Sequence, residues 1–144
     1  MGSEMCIRDS AFAARMKVER NAGRILFITS LHAHTPRNLP HYSASKAGMT
    51  MIMKEMARQL GPAGIRVNAI APGAIPGGGF ATSDDAFQPK RKIPLGRFGT
   101  PEDVAGPALA LLSNRFSQYV TGVTVPVDGG LDLYSWIDPP ETAA

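Results

Sequence analysis

The chain has 144 residues, enough for one ordinary domain and too few for two. Its 44% hydrophobic and 19% charged content fits a packed core and excludes wholesale disorder, and a net charge of +3 permits anionic ligands without calling for nucleic acid. A single cysteine, Cys6, excludes a disulfide framework and a cysteine-based zinc finger; no apolar run is long enough for a membrane span or placed as a signal peptide, so the expected compartment is the cytoplasm.

Residues 1–10 (MGSEMCIRDS) carry no periodicity and no turn logic. Met5 to Ser10 back-translates to ATG TGT ATA AGA GAC AG plus one base, which resembles the end of a transposase sequencing adapter. The expectation is a non-native, adapter-derived peptide, with a short disordered terminus as the alternative. Ala11 to Arg20 has helical composition and is stopped by Asn21-Ala22-Gly23. Arg24 to Ser30 (RILFITS) is a short apolar run rich in β-formers, the pattern of a buried parallel strand. Leu31 to His41 reads as a loop containing Pro36 and Pro40.

Tyr42 to Leu60 is the longest periodic segment. Met49, Ile52, Met53, Met56 and Leu60 form one helical stripe, and Ala44, Ala47 and Met51 form a second. Two apolar faces predict a helix packed against a sheet on one side and against something else, a partner subunit being one candidate. Gly61-Pro62 ends it. Ile65 to Ala71 (IRVNAIA) is the next strand, and Pro72 to Gly99 is a long segment without strong periodicity, of the kind that is usually functional or mobile. Thr100-Pro101-Glu102-Asp103 opens a helix to about Asn114, with Thr100 as N-cap and Pro101 at N1. Val120 to Val127 is a last strand, placed at an edge by Pro126. Asp128-Gly129-Gly130 is a turn, and an irregular tail follows. Strands alternating with helical crossovers predict an α/β parallel sheet.

Tyr42-Ser43-Ala44-Ser45-Lys46 places a phenol and an ammonium at i and i+4 on one helical face. A free tyrosine, with a pKa near 10, is a poor base at neutral pH, and a nearby cation favours its phenolate. Such a pair can act as a general acid/base, although a half-buried tyrosine beside a solvated lysine has the same spacing. Ser30 ends a buried strand, where α/β sheets put their ligands; its hydroxyl suits either a substrate oxygen or a capping role. Pro72-Gly73 follows a second strand end, where glycine allows close backbone approach to a flat ligand or simply makes a turn.

Taken in order, Ile28-Thr29-Ser30, Tyr42-x-x-x-Lys46, Arg66-Val67-Asn68-x-x-x-Pro72-Gly73, Pro101-Glu102-Asp103-Val104-Ala105, Tyr119-Val120-Thr121-Gly122 and Val127-Asp128-Gly129-Gly130 resemble the C-terminal part of a short-chain dehydrogenase/reductase. The match runs from about Gly23 to Gly130. The resemblance implies a doubly wound, Rossmann-type parallel sheet that lacks its first strands and its glycine-rich phosphate loop. Residues 11–144 would then be the C-terminal part of a single domain, with a substrate lid over about 74–98.

The resemblance also implies roles. Tyr42 would be the catalytic acid/base, Lys46 would favour its phenolate and hold the nicotinamide ribose, and Ser30 would orient the substrate oxygen. Pro72, Gly73 and Ile75 would line the nicotinamide of NAD or NADP, so that Tyr42, Lys46, Pro72, Gly73 and Ile75 make up the cofactor set. The substrate would be a small alcohol or carbonyl compound, with no nucleic-acid or membrane partner. The long helix would join subunits of a homo-oligomer, a dimer or tetramer. A non-catalytic dinucleotide-binding protein of the same fold is the rival class, and the 144-residue chain by itself is expected to be inactive. The family's catalytic asparagine has no counterpart here. The Ser30-to-Tyr42 spacing is one residue shorter than the family pattern, and Gly77 stands where many members have threonine.

His32, His34 and His41 crowd one loop, yet no acid or cysteine completes a metal set. They are expected to border the substrate entrance, with no metal bound. Lys90-Arg91-Lys92 is expected to be a solvated cluster in the lid, and the methionine stripe is expected to be core.

Overall fold

The structure is a computed structural model that describes residues 11, 14–16, 18, 22–36, 38–77 and 88–134. The adapter-like residues 1–10, the middle of the lid at 78–87 and the tail at 135–144 lie outside the described residues. Of the first predicted helix, Ala11, Ala14, Arg15, Met16 and Val18 are helical.

Three strands, β1 (Arg24–Ile28), β2 (Arg66–Pro72) and β3 (Thr124–Val127), form a parallel sheet in the order β1-β2-β3. The register pairs Phe27 with Ala69 and Ala71 with Pro126. Among the described residues the helices that connect them are α1 (Pro40–Leu60), α2 (Pro89–Lys92), α3 (Pro101–Leu112) and α4 (Asn114–Ser117). Short 3-10 turns cover Leu31–Ala33, Gly61–Ala63 and Leu131–Tyr134.

β2 is buried along almost its whole length, because helices cover both of its faces. Side chains alternate across a strand, so Val67 and Ala69 share one face. They pack there with Phe27 and with Met53, Ala57 and Leu60 of α1. Met53, Val67 and Ile65 are essentially sealed from solvent. Each contributes on the order of 1.5–3 kcal/mol by burial. The opposite face carries Arg66 and Asn68. Arg66 is 9% exposed and donates to the carbonyls of Leu111 at 2.8 Å and Ser113 at 3.3 Å, at the C-terminal end of α3. A cation at that end satisfies helix carbonyls that have no partner within the helix. Burial pushes the Arg66 guanidinium below its ordinary value, with the nearby charge of Arg24 as the lesser cause.

The element boundaries differ from the sequence expectation in ways that have local causes. β1 stops at Ile28, not Ser30. Thr29 still pairs with β2, its amide and hydroxyl donating to the Ile70 carbonyl at 2.8 and 2.9 Å. The chain then turns, and the Ser30 side chain caps the Leu31–Ala33 turn. α1 begins two residues early because Pro40 fits the first helical turn, where an N–H has no intrahelical acceptor. α3 stops at Leu112, since Ser113 leaves the helix and its Oγ caps α4 by accepting from the Arg115 amide at 3.1 Å.

β3 is shorter than Val120–Val127 because side chains take over ladder positions. The Val123 amide donates to Asn68 Oδ1 at 3.2 Å, and the Val67 amide donates to Thr121 Oγ1 at 3.0 Å. Among the described strands β3 is an edge, as Pro126 requires. α2 forms in the segment expected to be without regular structure, and it exposes Lys90, Arg91 and Lys92.

Candidate active site

The predicted residues gather at the carboxyl ends of β1 and β2. In parallel α/β sheets this is the end at which ligands bind. Ser30 is 8% exposed and its Oγ accepts from the His32 amide at 3.3 Å. The capping role and the substrate role are compatible, because a hydroxyl that accepts in the turn keeps its own O–H as a donor.

Tyr42 sits in the first turn of α1, 37% exposed. The positive end of the helix dipole favours negative charge in that turn. Lys46 lies one turn on, with Nζ 5.5 Å from the Tyr42 ring centroid. The same Nζ donates to the Ile28 carbonyl at 3.2 Å, which ties the helix to the end of β1. Thr50 Oγ1 donates to the Lys46 carbonyl at 3.1 Å, and Ser45 Oγ donates to the Tyr42 carbonyl at 2.7 Å.

His32 stands between Ser30 and Tyr42. Its ring meets the Tyr42 ring edge-on, with centroids 5.0 Å apart and an interplanar angle of 85°. Its Nδ1 lies 3.5 Å from Ser43 Oγ. Of the three histidines, His34 and His41 are exposed, whereas His32 is half-buried. Among the described residues no cluster of His, Cys, Asp and Glu could hold a metal.

Pro72, Gly73 and Ile75 are held by different partners. The Gly73 amide donates to the Val127 carbonyl at 3.0 Å. A Cβ added at Gly73 would lie 2.7 Å from both Cα and Cβ of Asp128. The sequence reading offered a close ligand or a simple turn as the reason for this glycine. Asp128 is a third close neighbour that excludes a side chain there.

Ile75 packs against Gly99, where an added Cβ would collide with Ile75 Cδ1. It lines a cleft of about 250 Å³ together with Leu95, Arg97, Asp103, Val127 and Asp128. Ser30, Tyr42 and Lys46 are not among its lining residues. Arg97 and Asp103 make a two-pronged pair at its rim, at 2.6 and 2.9 Å.

Sequence reasoning placed Asp128 in a turn but gave it no role beside Gly73, although an Asp before Gly-Gly is a usable signal for a carboxylate that accepts from its own turn. Its two oxygens accept from the amides of Gly130 at 3.0 Å and Asp132 at 2.8 Å.

A family model described as Enoyl-(Acyl carrier protein) reductase matches residues 8–132. The chain belongs to the short-chain dehydrogenase/reductase family. It is 42% identical over 127 residues to a cyclohexanol dehydrogenase of Rhodococcus sp. (strain TK6), a match covering 84% of this chain and 46% of that protein. A short chain dehydrogenase from Leptospira borgpetersenii, crystallised with bound NAD+, superposes with a TM-score of 0.74 at 34% identity, covering 83% of this chain and 48% of its own. A gluconate 5-dehydrogenase from Burkholderia cenocepacia, in complex with NADP and tartrate, gives a TM-score of 0.76 at 32% identity, covering 82% and 48%. The chain spans about half the length of the curated relatives it matches. The observed sheet is thus part of a Rossmann-like parallel fold.

Proposed function

We propose that residues 11–144 are the C-terminal part of an NAD- or NADP-dependent oxidoreductase that interconverts a small alcohol and its carbonyl, and that residues 1–10 are a non-native peptide. The observation that carries this reading is the packing of Lys46 on Tyr42 at the end of β1, with Ser30 two residues beyond that strand.

The residues present suit the nicotinamide half of such a cofactor. An ammonium has three donors. Lys46 directs one at Ile28, and the others would reach the ribose hydroxyls. Pro72, Gly73 and Ile75 stand at the neighbouring strand end and would line the nicotinamide face. When bound, the nicotinamide supplies the hydride acceptor for alcohol oxidation and the hydride donor for carbonyl reduction.

Tyr42 handles the proton. In oxidation its phenolate oxygen takes the proton from the alcohol hydroxyl while the carbon–hydrogen bond breaks and the carbon–oxygen double bond forms. In reduction the phenol returns the proton to the carbonyl oxygen. Lys46 and the first turn of α1 stabilise the phenolate. Ser30 donates to the substrate oxygen and holds it within reach of Tyr42. His32, His34 and His41 would border the entrance, and the segment of about 74–98 would serve as the substrate lid.

The exposed stripe of Ala44, Ala47 and Met51 on α1 suits a homo-oligomer contact, because Met51 is 58% exposed on a helix whose other face is core. We place the protein in the cytoplasm; no helix among the described residues is long and apolar enough to cross a membrane. A second reading follows from Ile28, which is 47% exposed at the open edge of β1. It is that the 144-residue chain alone neither binds cofactor nor turns over substrate.

The test is to express the intact parent gene and follow nicotinamide absorbance against a panel of alcohols and ketones with NAD and NADP. Turnover is expected. An intact parent that binds cofactor and turns over nothing is a dinucleotide-binding protein instead.

A further inference from the structure

The turn at 128–132 reaches two segments that bound the site. On one side, Thr35 Oγ1 donates to Asp132 Oδ1, joining residues 97 apart in sequence. Thr35 closes the turn that begins at Ser30: the Ala33 amide donates to the Ser30 carbonyl, and those of His34 and Thr35 donate to the Leu31 carbonyl, each at 3.0 Å. Leu31 and Leu131 are buried in one cluster with Ala71, Ala74 and Ile93.

On the other side lies the end of the lid. The Leu95 amide donates to the Gly129 carbonyl at 3.1 Å. Gly129 and Gly130 have φ of +63° and +86°, and a Cβ on either would lie 2.8 Å from Ile93 or Pro94. Only glycine meets both demands. Within the turn, Asp128 accepts from the Asp132 amide at 2.8 Å, which aims the Asp132 carboxylate.

We infer that Asp132 is a positioning residue: through Thr35 it sets the geometry of the Ser30–Thr35 turn and links that turn to the base of the lid. The inference rests on the role proposed for Ser30. A hydroxyl bonded to a carboxylate is a strong, directional contact. The turn it holds carries both Ser30 and the His32 ring that braces Tyr42.

The test uses the parent protein with Asp132→Ala, Asp132→Asn, Thr35→Val and the Thr35→Val/Asp132→Ala double variant. Two readouts are taken: steady-state kinetics, and amide hydrogen exchange at His34 and Thr35 with β2 amides as reference. Asp132→Ala and Thr35→Val are each expected to lower kcat/KM for substrate by about ten- to a hundred-fold, the scale of a misplaced catalytic group. The KM for the nicotinamide cofactor is expected to stay unchanged. The double variant should be no worse than either single one, as for two ends of one contact. Asp132→Asn keeps the acceptor oxygen and should recover most of the loss.

Exchange at His34 and Thr35 should quicken in both single variants while β2 stays protected. Multiplying effects in the double variant, or unchanged exchange at His34 and Thr35, would overturn the inference. Should Asp132→Ala fail to fold, Thr35→Val decides alone. A parent that turns over nothing refutes the proposed function, and the exchange measurement still decides whether Asp132 holds the turn.

Discussion

Lys46 Nζ donates to the Ile28 carbonyl at 3.2 Å, so the ammonium beside Tyr42 is anchored by the last residue of β1. The contact spans 18 residues and two elements. It converts a helical i, i+4 pair, which on a free helix would be one rotamer among several, into a fixed arrangement at the end of the sheet. Lys46→Met in the parent protein should lower kcat by about 10²-fold or more and raise the KM for the nicotinamide cofactor together with it. Lys46→Arg should recover little, because a planar guanidinium does not fit a site built for a compact ammonium. Unchanged cofactor KM in Lys46→Met would remove the ribose role.

Gly73 tests how the two strand ends are joined. Its backbone is not in the left-handed region, so alanine there meets only a steric objection, from Asp128 at 2.7 Å. The atoms in the way are Cα and Cβ of Asp128, whose positions are both fixed by the backbone, so neither can swing aside. Gly73→Ala should cost about 1–3 kcal/mol by overpacking, read as a lower urea midpoint at constant m. A neutral result would mean that β3 shifts freely against β2.

The base of the lid should be acid-sensitive. Hydrogen bonds from Arg97, and then from the Thr100 amide, hold the Asp103 carboxyl well below the usual carboxylate range. A folded-state value below the unfolded one makes the ionised carboxylate stabilising above the unfolded value of about 3.9. That contribution fades as pH falls below that value toward the folded one. Asp103→Asn should therefore be less stable than the native chain near neutral pH, and the gap should narrow on acidification. Urea midpoints compared at neutral and at strongly acid pH measure it, and a pH-independent gap would contradict the assignment. Both groups face solvent in part, so salt should weaken the effect.

The elements were legible where local chemistry decides them. Thr100 as N-cap with Pro101 at N1 is a local pattern, and the structure has it as expected, with the Asp103 side chain completing a capping box. The core stripe of α1 was legible from its period: Met53 and Leu60 are buried, and Met49, Ile52 and Met56 are partly so. Ser30 and Pro72-Gly73 pointed to the ends of two strands, and Tyr42 and Lys46 to one helical face between them.

What escaped the sequence depends on distant partners. Nothing near Gly73 announces Asp128 as the atom that excludes a side chain. Nothing near Thr35 announces Asp132. Asn68 reads as a strand residue, yet its amide donates to the Val120 carbonyl at 3.0 Å and its Oδ1 accepts from Val123, replacing part of the β3 ladder. Such pairs are fixed by tertiary packing, which leaves no periodic trace in the chain.

The most direct measurement is the pH profile of kcat in the intact parent enzyme and its Tyr42→Phe variant, with folding checked by an unchanged thermal midpoint. Removing the one hydroxyl that moves the proton should reduce kcat by about 10²–10⁴-fold across the profile. Tyr42→Phe with undiminished turnover and an unchanged profile would contradict the mechanism.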